Sequence, residues 1–368
     1  MKVAFRTDAS LQIGIGHVMR CLTLADTLRA AGAQCHFICR EHQGHLALHI
    51  RGRGFTVSML PALTELPNTP SIENIGHSKY AAWLGVDWST DVVQTKVELY
   101  EIAFDWLIVD HYALDSRWEQ ALRPLCRKLM AIDDLADRSH DCDLLLDQNL
   151  GRDVGNYREL VPRGCIILAG PQFALLRPEF TRLRADSLHR RVIPRLRHLL
   201  ISMGGVDQFD ATGKVLEALS GCPLPSDMCI TVVLGPHSPW LERVKSLARQ
   251  MQCPTTVKVN VSNMADLMAD SDLAIGGAGG TSWERCCLGL PSVVVVLADN
   301  QREGAAALEH SGSAHVLNPS EINTGKFVSI LNRLLTTDAL VQLSQKSSFV
   351  TDGRGVERVL RELYDFNG

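Results

Sequence analysis

A histidine that follows two glycines is the first feature of this chain with catalytic potential. In SLQIGIGHVMRCL (residues 10–22), Gly14, Gly16 and His17 lie between an apolar strand and an amphipathic helix. A histidine at a helix N-terminus lies at the positive end of the helix dipole, which disfavours the imidazolium form. Since a neutral imidazole can accept a proton, His17 is a candidate general base. A surface or capping histidine is the alternative.

The same loop matches part of a dinucleotide-binding fingerprint. That fingerprint, G-x-G-x-x-G, requires a third glycine for close packing of helix on sheet, and Met19 occupies the third place. Glu41 follows the second predicted strand, where an acid that binds a ribose would lie. Binding of NAD and an ordinary strand-to-helix turn therefore both stay open.

A glycine-rich turn in the second half of the chain has the pattern of an anion site. The run NMADLMADSDLAIGGAGGTSWERCCLGLPSVVVV (263–296) predicts a strand ending at Ile275, a turn, and a helix beginning near Thr281. Glycine lets a phosphate approach the backbone N–H groups at such a helix start. Thr281 or Ser282 can cap the helix, and Glu284 can accept both hydroxyls of a ribose. A packing turn with a solvated glutamate is the alternative. The turn contains Gly276, Gly277, Gly279 and Gly280.

Two further runs carry clustered polar residues. VDHY (109–112) ends a buried strand, so Asp110, His111 and Tyr112 either contact a ligand or cap the strand end. The carboxylates of AIDDLADRSHDCD (131–143) could suggest Mg²⁺, but they are spread over a turn and a strand without a phosphate loop beside them. We expect this run to be a solvated acidic stretch.

Strand-like and helix-like segments alternate along the chain, as in parallel sheets with helical crossovers. We predict an α/β fold with two Rossmann-like, doubly wound domains that face each other across a ligand-binding cleft. The first domain covers residues 1–176 and supplies the base, and the second covers 196–348. The basic segment 177–195, with a proline near each end, is predicted to link them. Residues 349–368 are predicted to form a helix that crosses back to the first domain.

Composition narrows the class of protein. A chain of 368 residues is longer than one hydrophobic core usually accommodates, which suggests two domains. Its content of 46% hydrophobic and 21% charged residues is typical of a globular protein. A formal net charge of −4 without a basic block argues against a nucleic-acid partner. The apolar run at 293–298 is too short for stable membrane insertion. The charged residues in MKVAFRTD interrupt any signal-peptide core, so we expect no signal peptide. The eleven cysteines are scattered, so we expect reduced thiols in a cytoplasm and no zinc site.

Several motifs in both halves of the chain are similar to those of one enzyme family. GGAGGTSWERCCLGLP resembles the donor-nucleotide motif of GT-B enzymes, in the branch of the MurG-type N-acetylglucosaminyltransferases. FRTDASLQIGIGHVMRCLTLADTL, LIVDHY, DQN, ALLRPEF and ISMGGVD resemble more closely the UDP-2,4-diacetamido-2,4,6-trideoxy-β-L-altropyranose hydrolase family of pseudaminic acid biosynthesis. The resemblance implies GT-B architecture, a UDP-sugar substrate, UDP as product, no metal or cofactor, and water attack at the anomeric carbon with inversion.

The resemblance also implies roles for individual residues. The G-x-G-H motif falls on Gly14, Gly16 and His17, which makes His17 the general base. The acid of the glycine turn falls on Glu284 as a ribose contact, and the diphosphate contacts fall on Gly279, Gly280 and Thr281, with Ser282 beside them. MGG falls on Met203, Gly204 and Gly205, and DNQ falls on Asp299, Asn300 and Gln301 as contacts to the substrate.

Three functions are consistent with these residues, besides the NAD enzyme considered above. A UDP-sugar hydrolase uses water as its only acceptor, whereas a GT-B glycosyltransferase requires an acceptor alcohol. A non-catalytic module would bind the nucleotide sugar without turnover. Residues 61–100 match no motif, so the sugar pocket is predicted less completely than the UDP site.

Overall fold

Short, mostly apolar runs form the strands of two parallel sheets. The computed structural model describes residues 1–62, 79–100, 102–236 and 238–365. The chain divides into unit 1, Met1–Leu175 with Val356–Gly368, and unit 2, Leu176–Gly355. Each unit carries one sheet in which every strand pairs in parallel, so the predicted fold class is confirmed.

Unit 1 contains a seven-stranded sheet. Its strands are β1 (Lys2–Thr7), β2 (Gln34–Arg40), β3 (Thr56–Leu60), β4 (Phe104–Asp110), β5 (Cys126–Ile132), β6 (Leu144–Asp147) and β7 (Ile166–Ala169), and its first helices are α1 (Gly16–Ala30), α2 (Ala47–Gly52), α3 (Trp88–Leu99) and α4 (Ser116–Leu122). The strand order is β3-β2-β1-β4-β5-β6-β7. The order reverses between β1 and β4, and ligands of doubly wound sheets bind beyond the carboxyl ends of the strands at such a point.

Both faces of the first sheet are covered, which explains the largely apolar sequence of its central strands. On β4, Trp106 and Ile108 lie in a buried cluster that also contains residues of α1. Leu107 and Val109 lie in a second cluster, which contains residues of α3 and α4. Because successive side chains of a strand point to opposite faces, each strand contributes to both cores.

Unit 2 repeats the same plan with six strands. Its strands are β8 (His198–Ser202), β9 (Cys229–Leu234), β10 (Thr255–Val259), β11 (Leu273–Gly277), β12 (Ser292–Val295) and β13 (His315–Leu317), and its helices are α5 (Pro178–Arg190), α6 (Ala211–Ser220), α7 (Leu241–Gln250), α8 (Met264–Asp270), α9 (Thr281–Cys287), α10 (Arg302–His310), α11 (Gly325–Leu334) and α12 (Thr337–Ser348). The strand order is β10-β9-β8-β11-β12-β13. The reversal therefore lies between β8 and β11. None of the helices in the described residues is long and apolar enough to cross a membrane.

The structure differs from the linker prediction for 177–195. Most of this segment is α5, which packs in unit 2 against α8 and α9. The Arg184 guanidinium donates to the carbonyl oxygen of Ser348 (2.8 Å), and that of Arg191 donates to the carbonyl oxygen of Ser271 (2.8 Å). Two of the basic residues therefore bind backbone oxygens of unit 2 instead of lying in a solvated linker.

Part of the segment without a motif, 61–100, is described. Its residues 63–78 lie outside the described residues. The remainder contains a 3₁₀ helix, Ala81–Leu84, followed by α3. The Asp87 carboxylate caps α3 by accepting from the backbone N–H of Thr90 (2.9 Å).

The last helix, α13 (Gly355–Asp365), packs on unit 1 from Val356 onward. Val359 and Leu363 are fully buried in the cluster that contains α1. The indole N–H of Trp106 on β4 donates to the carbonyl oxygen of Leu363 (3.2 Å). The end of the described chain is thus part of the first core.

Replacing Leu363 tests how much this helix stabilises unit 1. We expect Leu363→Ala to lower the free energy of unfolding by about 2–5 kcal/mol, because it leaves a cavity in a packed core. Urea denaturation followed by tryptophan fluorescence measures the loss. Arg361→Ala, on the exposed face of the same helix, is the control and should stay within about 0.5 kcal/mol. Equal effects of the two variants would contradict the packing of α13.

Candidate functional site

His17 lies at the point where the strand order of unit 1 reverses. It is the second residue of α1, whose N-cap, Ile15, makes no side-chain hydrogen bond. Gly14 has a φ of +81°, a left-handed conformation that lets the loop turn into the helix. His17 Nδ1 lies 2.6 Å from Oδ1 of Asp110. Because a carboxylate can only accept, we assign the proton to Nδ1, which leaves Nε2 as the proton acceptor.

Asp110, the last residue of β4, is fully buried and binds Arg20 as well as His17. Arg20 Nε donates to Oδ2 (2.6 Å), and Nη2 donates to Oδ1 (2.7 Å). Burial alone would raise the pKa of Asp110, but the charge of Arg20 and the hydrogen bond from His17 hold that pKa below its ordinary value. The structure thus places an ionised carboxylate against His17, a role that differs from the ligand contact or strand cap considered from the sequence.

Hydrogen bonds connect Arg20 to the end of the next strand. Arg20 Nη1 donates to Oδ1 of Asp134 (3.0 Å), and the hydroxyl of Tyr112 donates to Oδ2 (2.6 Å). The Tyr112 ring also meets the His17 ring edge to face, with centroids 4.6 Å apart. The Asn149 amide, beyond the end of β6, donates to Asp134 Oδ1 (2.9 Å). The structure therefore brings predicted residues His17 and Tyr112 together.

Asp147, the last residue of β6, ends this network. It accepts from the Asn149 amide (2.8 Å) and from the Tyr157 hydroxyl (2.7 Å). Burial, together with the charge of Asp134, raises the pKa of Asp147 to about 7. This carboxyl group thus lies three hydrogen bonds from Arg20, by way of Asp134 and Asn149.

The prediction of a solvated acidic stretch at 131–143 is wrong for its first carboxylates. Asp133 is fully buried and accepts from Arg138 (2.7 Å), and its Oδ2 lies 2.9 Å from the hydroxyl oxygen of Tyr157. Asp134 binds Arg20 and Tyr112, as described above. These residues directly follow β5, so the parallel sheet brings them to the same edge as Asp110.

His111 is directed away from this network, toward the protein interior. Its Nδ1 accepts from the backbone N–H of Ala113 (3.0 Å), and its Nε2 lies 3.5 Å from Asp8 Oδ2. Burial lowers the pKa of His111 to about 3, although the Asp8 carboxylate acts in the opposite direction. His111 is therefore a buried imidazole bonded within the strand-end turn, which fits the cap considered from the sequence better than the ligand contact.

In unit 2 the turns that follow the two central strands lie side by side. Gly277 ends β11, and a Cβ added to it would lie 3.4 Å from the carbonyl oxygen of Met203, which follows β8. A Cβ added at Gly280 would meet no described atom within 4 Å. The main chain at Gly280 is therefore open to close approach by a ligand.

Neither predicted cap is used at the start of α9. The N-cap is Gly280, and it makes no side-chain hydrogen bond. Arg285 Nη2 donates to Ser282 Oγ (3.0 Å) and to the carbonyl oxygen of Gly277 (2.8 Å), while Nη1 donates to Thr281 Oγ1 (3.2 Å). Burial lowers the pKa of Arg285 to about 10. The hydroxyls expected to cap the helix instead bind a buried guanidinium that holds the turn.

Glu284, the predicted ribose contact, is largely buried beside an arginine. Its Oε1 lies 3.7 Å from Nη2 of Arg177, which also pairs with Glu179 (2.9 Å). Burial raises the pKa of Glu284, although Arg177 and Arg285 act in the opposite direction. The side chain is still 17% exposed, so its carboxylate stays within reach of a ligand.

Residues of the MGG and DNQ motifs lie beside the glycine turn. Met203 is 3% exposed and packs in the core of unit 2, so its side chain does not fit the predicted substrate contact. Gly204 has a φ of +99° and open space beside its Cα. Gln301 Oε1 accepts from the N–H of Leu297 (2.9 Å), while its Nε2 lies 3.8 Å from a Cβ added at Gly279. The ligand contacts predicted from the sequence all stay predictions, including those of Gly16, Gly205 and Asn300.

Several residues of these clusters were not identified from the sequence, among them Arg20, Asp134 and Arg285. Arg20 lies one helical turn after His17, and that spacing alone indicates a shared face. No local spacing in the sequence predicts the partners of Asp134 and Arg285, because those partners depend on strand order and on the path of a turn. No group of three or more His, Cys, Asp or Glu side chains among the described residues is arranged to hold a metal ion.

Comparison with known proteins supports the fold and part of the family assignment. Residues 204–354 match the Glycosyltransferase family 28 C-terminal domain. The crystal structure of MurG from Acinetobacter baumannii is similar over 99% of both chains, with a TM-score of 0.70 at 16% sequence identity. At this identity the likeness shows the fold, which is that of the GT-B glycosyltransferases.

Two relatives match most of this chain. An uncharacterized protein, MJ1062, of Methanocaldococcus jannaschii is 29% identical over 82% of this chain, which spans 57% of that protein. The UDP-2,4-diacetamido-2,4,6-trideoxy-β-L-altropyranose hydrolase of Campylobacter jejuni is 26% identical over 85% of this chain and 97% of that protein. The second match runs through both units.

Proposed function

We propose that this chain, whose second unit carries a glycosyltransferase family 28 C-terminal domain, hydrolyses UDP-2,4-diacetamido-2,4,6-trideoxy-β-L-altropyranose to UDP and the free sugar. The observation that carries the proposal is the pairing of His17 Nδ1 with the buried Asp110 carboxylate at 2.6 Å. The similarity to the Campylobacter hydrolase over nearly its whole length supports the choice of substrate.

The proposed chemical step is attack of water on the anomeric carbon. Nε2 of His17 removes a proton from the water while the water oxygen bonds to the carbon on the face opposite UDP. The bond between that carbon and the diphosphate oxygen breaks, and UDP leaves with the electron pair, so the configuration inverts. The imidazolium formed on His17 is stabilised by Asp110, which stays ionised because Arg20 pairs with it. General-base assistance of this kind contributes about 10²–10⁴-fold.

Unit 2 is proposed to bind the nucleotide. The open main chain at Gly204 and Gly280 would accept the diphosphate, since a side chain at either position would take up that space. Glu284 would accept the ribose hydroxyls. Backbone N–H groups fixed by the Arg285 hydrogen bonds need no reorientation as charge develops on the leaving diphosphate.

A second candidate function is a GT-B glycosyltransferase that moves the sugar to an acceptor alcohol. The match to a glycosyltransferase domain over residues 204–354 favours it. It shares the nucleotide site and the base with the hydrolase, and it differs in the molecule that attacks.

An assay without acceptor separates the two functions. We expect the protein to convert the diacetamido UDP-sugar to UDP and free sugar in the presence of EDTA, with the anomeric signal followed by NMR. Release of UDP only after addition of an alcohol would establish the transferase instead. Binding of UDP without any turnover would point to a non-catalytic module.

His17→Ala should retain UDP affinity and lose about 10²–10⁴-fold in kcat, because the proton acceptor is removed. Asp110→Asn should lower kcat in the same direction, since an amide cannot stabilise the imidazolium. Calorimetric titration with UDP and steady-state kinetics measure both quantities. His49→Ala, at an exposed position on α2, is the control. Wild-type turnover of His17→Ala would remove this histidine from the mechanism.

Glu284→Ala should raise the dissociation constant of UDP by about 10- to 100-fold while kcat changes little, because a hydrogen-bonded charge contributes to binding the ribose and not to the chemical step. Isothermal titration calorimetry with UDP measures the change. Glu242→Ala, with a side chain 80% exposed in unit 2, is the matched control. An unchanged dissociation constant would refute the ribose contact.

A further inference from the structure

Three aromatic rings pack together beside His17. The Tyr80 and Trp83 rings lie 4.7 Å apart, and the Trp83 and Tyr112 rings stack at 5.6 Å with an angle of 24°. Tyr80 also approaches Tyr112 at 5.1 Å. Because Tyr112 meets the His17 ring at 4.6 Å, this aromatic cluster (Tyr80, Trp83 and Tyr112) adjoins the proposed base directly.

The chain that directly follows Trp83 is anchored in the core of unit 1. Trp83 lies in the 3₁₀ helix that ends at Gly85, whose φ of +75° favours glycine. A Cβ added to Gly85 would lie 2.9 Å from the His42 ring. Leu84 and Val86, which flank the turn, are both buried in the second core of unit 1. The position of the Trp83 ring is therefore built into the fold.

The rings differ in what they can offer a ligand. Tyr80 and Tyr112 are buried, and the hydroxyl of Tyr112 donates to Asp134. Trp83 is only half-buried, so its ring is the accessible part of the aromatic cluster. An indole face is apolar and attracts C–H groups, while it provides no partner for a sugar hydroxyl.

We infer that Trp83, held in place by Tyr80 and Tyr112, is a specificity-determining residue that contacts the methyl groups of the sugar. This inference rests on the proposed function, whose substrate carries two acetamido methyl groups and a 6-deoxy methyl group. Burial of a methyl group against the ring favours this sugar over one with hydroxyls in the same places, because the hydroxyls would lose their water partners. The aromatic cluster thus selects N-acetylated, deoxygenated hexoses.

Ligand-observed NMR tests this inference independently of turnover. The probes are UDP-N-acetylglucosamine and UDP-glucose, which differ by one acetamido group. We expect the acetyl methyl protons to show the strongest saturation transfer within the sugar of UDP-N-acetylglucosamine. We also expect wild type to bind UDP-N-acetylglucosamine more tightly than UDP-glucose by about 3- to 10-fold.

Variants assign the effect to one ring. Trp83→Leu should abolish the preference between the two probes, and Trp83→Phe should restore part of it. Trp88→Leu is the matched control, since Trp88 is also half-buried in unit 1 but stacks against Arg117 (5.2 Å). With the diacetamido UDP-sugar, Trp83→Leu should raise KM about 3- to 10-fold and leave kcat within about twofold.

The outcomes separate this inference from the proposed function. If wild type cleaves the diacetamido UDP-sugar but Trp83→Leu keeps the preference between the probes, the role of Trp83 is wrong and the hydrolase stands. If wild type cleaves nothing, the proposed function fails, whatever the binding preference. Strong saturation of the uracil protons that disappears in Trp83→Leu would overturn the inference, because the ring would then contact the base. If wild type cleaves the diacetamido UDP-sugar but binds neither probe, the inference about Trp83 is overturned and the hydrolase stands.

Discussion

A buried carboxylate that binds a histidine and an arginine of one helix organises the candidate site of unit 1. Asp110 ends β4, while His17 and Arg20 lie one helical turn apart near the start of α1, which follows β1. Burial would neutralise an isolated carboxyl group, and only the paired cation keeps it charged. Removing one partner of such a buried pair typically costs about 3–5 kcal/mol, because a charge is left uncompensated. The three groups are therefore stable only as a set, and the set fixes which nitrogen of His17 accepts a proton.

The two units place polar groups at the same topological position by different means. In unit 1, side-chain charges at the ends of β4, β5 and β6 form a continuous network. In unit 2, glycines leave the main chain open, and the buried Arg285 holds the turn through its hydrogen bond to the Gly277 carbonyl oxygen. The first arrangement suits proton transfer, and the second suits an anionic group that must approach backbone N–H groups.

Local hydrophobic patterns in the sequence predicted the central strands of each sheet better than the short strands at the sheet edges. The run FDWLIVD is apolar because both faces of β4 are covered, and it is readily identified. The strands β3, β7 and β13 have five, four and three residues, and the sequence analysis did not identify them. The segment 177–195 was predicted to be a linker, and its helix α5 was missed, for another reason: its arginines bind carbonyl oxygens of distant segments, and composition does not reveal such partners.

The sequence by itself determined the alternation of strands and helices, the glycine turn before α9 and the position of His17 at a helix entrance. Each of these depends on residues within one or two turns of each other, where spacing and backbone preference act directly. Only the tertiary structure decided that Asp110, 93 residues away, is the partner of His17, and that Trp83 packs on Tyr112. Such contacts follow from which strands lie side by side, because neighbouring parallel strands bring their carboxyl ends to one edge. Strand order is a property of the whole sheet, and no local spacing encodes it.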